Sequence, residues 1–365
     1  MSTLLNTLRS QWLNIKLFRP FFSPGRLIAD GLRFPFQYLG DGQARSYPLV
    51  VDINITNRCN MACSFCYNAD NKTCLEDELN IDQLCALVDE AAGHQAGFFL
   101  SGGEPLLRPD LLDLVKHIKS HKLPVGLVTN GSLLTAEMAD LMASAGLDVA
   151  VLSLHGLRRG HNRASGQPGS FNAVWQALEL LRTRLSPPGP LVNIVVGPHS
   201  LEDLPDLLTA LQQLDNVVPR LAHLSFLTAA ETSKHHAAWS KCFQHDSYAL
   251  LNQELTFDSD HFEHLCRLLS RPEIRRVPAR PSLSPREIRH WYNPDFGVQR
   301  RCLFIWQSTV INADGTVFPC QYHAWPMGNI REQSLSEIWN NDRYRHFRRV
   351  LRKGLLPGCA RCCKL

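Results

Sequence analysis

Residues 49–67 read LVVDINITNRCNMACSFCY. The first eight, LVVDINIT, are a short β-branched run that suits a buried strand. Cys59, Cys63 and Cys66 follow it, spaced C-x3-C-x2-C, and no fourth cysteine comes until Cys74. The thiols therefore ride on the loop that leaves the C-terminal end of a strand. In barrel-like α/β folds that end is the face where active sites are built.

The sequence beyond this loop supplies the rest of such a barrel. Short apolar runs at 97–102, 124–131, 147–156, 191–197 and 221–228 alternate with stretches of helical spacing at 81–92, 108–121, 135–146, 170–185 and 200–214. Pro109 sits near the start of one helix, Gly146 closes another and Ser170 opens a third. Apolar strands alternating with helices indicate a parallel sheet with right-handed crossovers. Six βα units fall short of the eight that close a full barrel. The expected fold is α/β, an open partial (β/α)6 TIM-like barrel over 49–228.

Three further segments flank the barrel. Residues 1–48 mix Trp12, Phe18, Phe21, Phe22 and Phe34 with Arg9, Lys16, Arg19, Arg26 and Arg33, and Asp30 is nearly the only acid before Asp41. This reads as a helical cover on the barrel, with peripheral membrane contact through residues 1–36, or a substrate gate, as the alternative. Residues 229–300 crowd Pro272, Pro278, Pro281 and Pro285 near their end and read as a helical insertion and linker. Their His235, His236, His245, His261 and His264 read as surface residues of that cap. Residues 301–365 read as a small C-terminal β-hairpin and helix domain, whose helix RYRHFRRVLRK (343–353) presents a solvated basic face.

Composition narrows the class. Of 365 residues, 44% are hydrophobic and 20% charged, with a net charge of +4, which describes an ordinary globular chain with no nucleic-acid partner expected. No apolar run is long enough to span a membrane and no secretory signal opens the chain, so a cytoplasmic location is expected. There, twelve cysteines point to metal ligation or redox chemistry rather than disulfides. Cys74, Cys85, Cys242 and Cys266 are scattered and read as packing residues.

Thiolates are the natural ligands of iron–sulfur clusters, which usually take four. Three local thiolates leave one iron of a [4Fe–4S] cluster uncapped and free to bind something else, although zinc draws on the same donors. SGGEP (101–105) at the end of the second strand offers a partner site. Gly102 and Gly103 let a ligand approach the backbone, and Glu104 offers a carboxylate to an ammonium. An amino-acid-like ligand could chelate the open iron and pair its amino group here.

The C-x3-C-x2-C loop and the GGEP motif resemble the radical S-adenosylmethionine (SAM) superfamily. There the open iron is chelated by the amino and carboxylate groups of SAM, and one electron splits the sulfonium bond to give a 5′-deoxyadenosyl radical. The resemblance implies a [4Fe–4S] cluster on Cys59, Cys63 and Cys66, with SAM beside Gly102, Gly103, Glu104 and Pro105. It puts Phe65 near the adenine, Thr129 and Asn130 of TNG at the third strand end, and Ser153 toward the SAM ribose and carboxylate. Asn193 and GQPGSF (166–171) are similar to relatives, whereas His155 stands where many carry Asp and reads as a structural histidine. An electron donor of flavodoxin or ferredoxin type is also implied.

The second cysteine group begins at Cys302. An Asp314-Gly315 turn joins STVIN to TVFP and delivers Cys320, and the chain ends in CARCCKL. With GNI and SLSEIW, this resembles the SPASM extension of radical SAM enzymes, or its shortened twitch form. The resemblance implies an auxiliary [4Fe–4S] cluster on Cys302, Cys320, Cys359 and Cys362, with Cys363 either replacing Cys362 or free. A zinc knuckle is the plainer alternative for these thiols. The expected function is hydrogen abstraction from a small-molecule or lipid-like substrate, since no peptide-recognition domain precedes the barrel. Modification of a ribosomal peptide or protein side chain is the alternative. A non-catalytic electron carrier or a zinc-dependent structural protein has no use for the GGEP pocket.

Overall fold

A computed structural model describes residues 18–21, 24–66, 68, 75–197, 200–243, 259–293, 300–323 and 325–364. Cys74, His245, Phe22 and residues 1–17 lie outside them. The strands are β1 (Val50–Thr56), β2 (Gly97–Gly102), β3 (Val125–Thr129), β4 (Val149–Ser153), β5 (Leu191–Val196), β6 (Val218–His223), β7 (Ala279–Arg280), β8 (Ser308–Ile311), β9 (Thr316–Phe318) and β10 (Gly328–Asn329). All belong to one sheet in the order β10-β9-β8-β1-β2-β3-β4-β5-β6-β7. From β8 through β1 to β7 every pair is parallel. β7 and β8 are not paired with each other, so the barrel stays open.

The six expected βα strands are all present, and two parallel strands extend them. β8 was expected only as half of a hairpin. It does pair with β9 across the Asp314-Gly315 turn, where Gly315 has φ +85°. Its other edge pairs with β1, from Val50↔Ser308 to Ile53↔Ile311, so the C-terminal segment continues the barrel sheet. The two-residue β7 carries too little pattern to be read from sequence.

Helices cover the outside. Helix Ile81–Ala92 starts with a capping box between Asn80 and Gln83, and helix Ala229–Cys242 with one between Thr228 and Glu231. The N-terminal ends of the strands are plugged by Phe18 and Phe21. Phe21 stacks on Phe99 at 4.8 Å and Phe18 meets the same ring edge-on at 5.3 Å. Both pack with Val149, Val151 and Leu191 at the starts of β4 and β5. A side chain at Gly97 would collide with Phe21.

Two surface expectations are corrected. The basic helix Asp342–Lys353 is not simply solvated. Its Arg348 is fully buried among the rings of Trp339, Tyr344 and Trp306, at 4.1, 4.7 and 5.3 Å, and donates to Ile305 O at 2.9 Å. Its Arg352 donates to Tyr38 O at 2.9 Å and Gly40 O at 2.5 Å, satisfying carbonyls at the end of helix Pro24–Leu39. His235 is likewise no surface residue. It is fully buried, stacks on His323 at 5.1 Å, and accepts from Gly358 N at 3.2 Å. His236, His261 and His264 are exposed, as expected.

Candidate active site

The loop after β1 is held from both sides. Thr56 Oγ1 donates to the buried Glu78 at 2.6 Å, and Glu78 also pairs with Arg58 at 3.6 Å. Ala62 N and Ser64 N donate to Ser165 O and Ala164 O, both at 3.1 Å, so the loop hangs on helix Arg158–Ser165. Cys66 N closes a turn onto Cys63 O. Burial, then the neighbouring Cys66 and Cys59, push the Cys63 thiol up to about 12, and burial also raises Cys59.

The glycines of SGGEP serve backbone packing. A Cβ on Gly102 would strike Thr56 O, and one on Gly103 would strike Arg58 O. Gly103 N and Glu104 N donate to those same carbonyls at 2.8 Å, which lays the GGEP loop on the cysteine loop. Glu104, expected to face a ligand's ammonium, is held by protein partners in the structure. Its side chain is fully buried and accepts from Thr129 Oγ1 at 2.6 Å, Asn130 N at 2.7 Å and Leu106 N at 3.0 Å. It latches β2 to the end of β3, and burial raises its pKa. Asn130 Nδ2 in turn donates to Asn60 Oδ1 at 2.9 Å, tying β3 to the cysteine loop.

One interior cavity of about 900 Å³ collects most of the expected residues. Cys59, Cys63, Cys66, Phe65, Gly102, Gly103, Thr129, Asn130 and Ser153 all line it, whereas Glu104 and Pro105 do not. Phe65 meets His155 edge-on at 4.7 Å. His155 is buried and accepts from Val195 N at 3.1 Å, which is structural work between β4 and β5. Phe18, Phe21 and Phe99 line the same cavity at the strand starts, and Cys363 and Lys364 line it from the C-terminal segment.

The second thiol group lies outside this lining. Burial raises the pKa of Cys302, Cys320, Cys359 and Cys362; after burial, Cys302 also raises Cys320, which is pushed up to about 12, Cys320 and Cys302 raise Cys359, and Cys363, then Cys320 and Cys302, raise Cys362. Cys359 and Cys362 are buried. Cys363 turns toward the barrel instead, with Sγ 3.4 Å from Gln321 Nε2 and 3.3 Å from the Tyr322 hydroxyl.

The donor chemistry of both groups fits iron–sulfur centres. Buried thiols that repel one another resist ionisation unless a positively charged centre accompanies them. A single tetrahedral zinc needs its sulfurs about 3.8 Å apart. Among the described residues, the group whose ligand atoms gather within 4.8 Å is Asp89, His117 and His121 on outer helices, and neither thiol group is that tight.

Sequence reasoning passed over Asp52, Asn54, Arg220, Arg280 and Tyr322, all of which line the cavity. A signal existed for three of them. Asp52 and Asn54 alternate in an otherwise apolar strand, and Arg220 interrupts β6, so period-two alternation turns them inward.

Comparison with known proteins agrees with this geometry. The chain matches the profile of the Radical SAM superfamily over residues 53–211 and the SPASM profile, an iron-sulfur cluster-binding domain, over 302–363. It is 28% identical over 301 residues to an AdoMet-dependent heme synthase of Methanosarcina barkeri, covering 80% of this chain and 82% of that protein. It is 28% identical over 306 residues to a PqqA peptide cyclase of Xanthomonas euvesicatoria pv. vesicatoria, covering 80% and 74%. The crystal structure of Streptococcus suis SuiB bound to precursor peptide SuiA superposes with a TM-score of 0.60 at 14% identity, over 89% of this chain and 71% of that one. In two other SuiB structures the match spans 66% and 68% of the SuiB chain. At such identities these likenesses speak to the fold alone. Open parallel barrel, cysteine loop and C-terminal thiol group converge with the two profiles: the chain is a radical SAM enzyme with a SPASM iron–sulfur domain, and it belongs to the radical SAM superfamily.

Proposed function

We propose that this enzyme abstracts hydrogen from a compact small-molecule or lipid-like substrate enclosed in the barrel. The observation that carries the reading is a cavity with the cysteine loop at one end and the Phe18–Phe21–Phe99 plug at the other. Its volume of about 900 Å³ lies within the range of small-ligand sites, and the cofactor takes part of it. The heme synthase relative, named for a small-molecule product, supports the same reading.

In this reading Cys59, Cys63 and Cys66 hold the SAM-binding [4Fe–4S] cluster, and Cys302, Cys320, Cys359 and Cys362 hold one auxiliary cluster. With SAM, the first cluster supplies the one-electron cleavage that generates the hydrogen-abstracting radical. The chain's own residues bind and orient. Gly102 and Gly103 would let backbone approach a ligand held beside the cysteine loop, Phe65 and Ser153 would line its position, and the plug would exclude water. The division into a cover (1–48), barrel (49–228), insertion (229–300) and cluster domain (301–365) assigns these tasks to separate stretches, and a flavodoxin or ferredoxin-type protein supplies the electron.

Helix Pro24–Leu39 has a further role in this proposal. It exposes Ile28, Leu32, Phe36 and Leu39 at 66–76%. Its acid, Asp30, is occupied by Arg26 and Ser46. An apolar stripe with surplus positive charge suits peripheral contact with an anionic lipid surface.

The test is anaerobic reconstitution followed by SAM and a strong reductant. 5′-Deoxyadenosine should form, and a low-molecular-weight cell extract should raise its rate above the substrate-free level. The second reading, peptide modification, draws on the PqqA peptide cyclase relative and on SuiB with its bound peptide. Stimulation by the peptide fraction alone would favour it.

A further inference from the structure

The barrel wall opposite the cysteine loop carries an unusual charge arrangement. Ser153, Asn193 and Arg220 sit side by side at one level of β4, β5 and β6, and Arg280 pairs with Ala222 two residues further along β6. All four line the cavity. Arg220 is only 5% exposed, yet its one side-chain acceptor is Asn193 Oδ1, at 3.2 Å from Nε and 3.1 Å from Nη2. Its Nη1 is buried without a partner. Arg280 Nε is buried without a partner too, and no ion pair reaches Arg280 among the described residues.

Among the described lining residues no free carboxylate neutralises these two guanidiniums, and the Cys363 thiol is the nearby group whose charge would favour Arg220. Among the described lining residues the one acid is Asp52, and Lys364 already holds it at 3.2 Å. His223 is kept neutral by burial. The two arginines instead repel, and burial together with Arg280 lowers Arg220 to about 9. Phe18 of the plug lies beneath both, its ring centre 5.3 Å from Arg220 Cζ and 6.0 Å from Arg280 Cζ. Two positive groups held side by side in a buried chamber, with N–H donors left over, are costly unless an anion completes them. Paired guanidinium forks match the oxygens of carboxylate and phosphate.

We propose that Arg220 and Arg280, steadied by Phe18 and Asn193, form an oxyanion clamp, and that the substrate is an organic anion bearing a carboxylate or phosphate group. The inference rests on the barrel interior being the substrate chamber, and it specifies the class of molecule that enters.

The full chain, reconstituted without oxygen and loaded with SAM, is titrated by calorimetry with citrate and, separately, with inorganic phosphate at constant ionic strength. One of the two binds saturably at one per chain, citrate marking a carboxylate substrate and phosphate a phosphorylated one. Affinity falls at least about tenfold in Arg220→Gln and in Arg280→Gln, and is unchanged in Arg289→Gln, whose side chain pairs with Glu263 on the surface. Substrate-free 5′-deoxyadenosine formation is retained in both clamp variants. Failure of both anions to bind, wild-type binding by the variants, or loss of substrate-free SAM cleavage in them overturns the clamp, the last by assigning the pair to the cofactor's own carboxylate. If the wild type makes no 5′-deoxyadenosine but binds the anion through these arginines, the radical reading falls and the clamp stands.

Discussion

The two cysteine groups use the same donor in opposite ways. Cys59, Cys63 and Cys66 are exposed or half-buried on one short loop and look into the cavity. Cys302, Cys320, Cys359 and Cys362 come from two distant stretches, and the terminal pair is buried. A ligand set from one loop leaves a side open. A set gathered from both ends of a domain surrounds its centre and fastens the chain to itself. The contrast teaches that thiol number alone does not define such a site; what the loops leave uncovered does.

The largest effect that breaks this contrast is expected at the open group. Cys63→Ala should abolish 5′-deoxyadenosine formation while the chain retains the iron of one cluster, measured as iron and sulfide per chain. Residual SAM cleavage near the wild-type rate would refute the assignment. At the closed group, Cys359→Ala with Cys362→Ala should abolish substrate-stimulated turnover but spare substrate-free SAM cleavage. Cys363→Ser should leave the iron content unchanged, because its Sγ faces Gln321 and Tyr322; loss of iron would make Cys363 a ligand.

A smaller effect sharpens how the open loop is held. Glu104→Gln replaces a carboxylate that accepts three hydrogen bonds. It should cost about 1.5–3 kcal/mol of stability in urea unfolding and weaken SAM binding through Thr129 and Asn130. An unchanged unfolding midpoint would remove the latch.

The smallest effect concerns pH. Burial lowers His223 to about 3, against 6.5 in an unfolded chain. Between those values the unfolded state binds more protons, so stability is full above pH 6.5 and falls as pH drops toward 3. His223→Asn should flatten that slope, and an identical pH profile would show that His223 does not titrate as described.

Much of this organisation was legible in the residues. The barrel strands announced themselves as largely apolar runs, as expected of strands covered on both faces. The cysteine loop was legible because its ligands are local. β7 was not, since two residues hold no period. The second edge of β8 was not, since hairpin chemistry specifies one neighbour only. That Thr129 and Asn130 donate to Glu104 was not legible, since they lie about 25 residues further along the chain. Arg348 and Arg352 looked solvated because their partners, Ile305 O and Tyr38 O, lie tens to hundreds of residues away.

The most direct test compares the clusters by electron paramagnetic resonance in the Cys359→Ala/Cys362→Ala variant, where the SAM-binding centre is seen alone. On reduction, adding SAM should shift its spectrum, because the proposed three-cysteine ligand set leaves one iron for the cofactor to bind. A spectrum that SAM leaves unchanged would mean the fourth corner is already filled by the chain, and the account would fail.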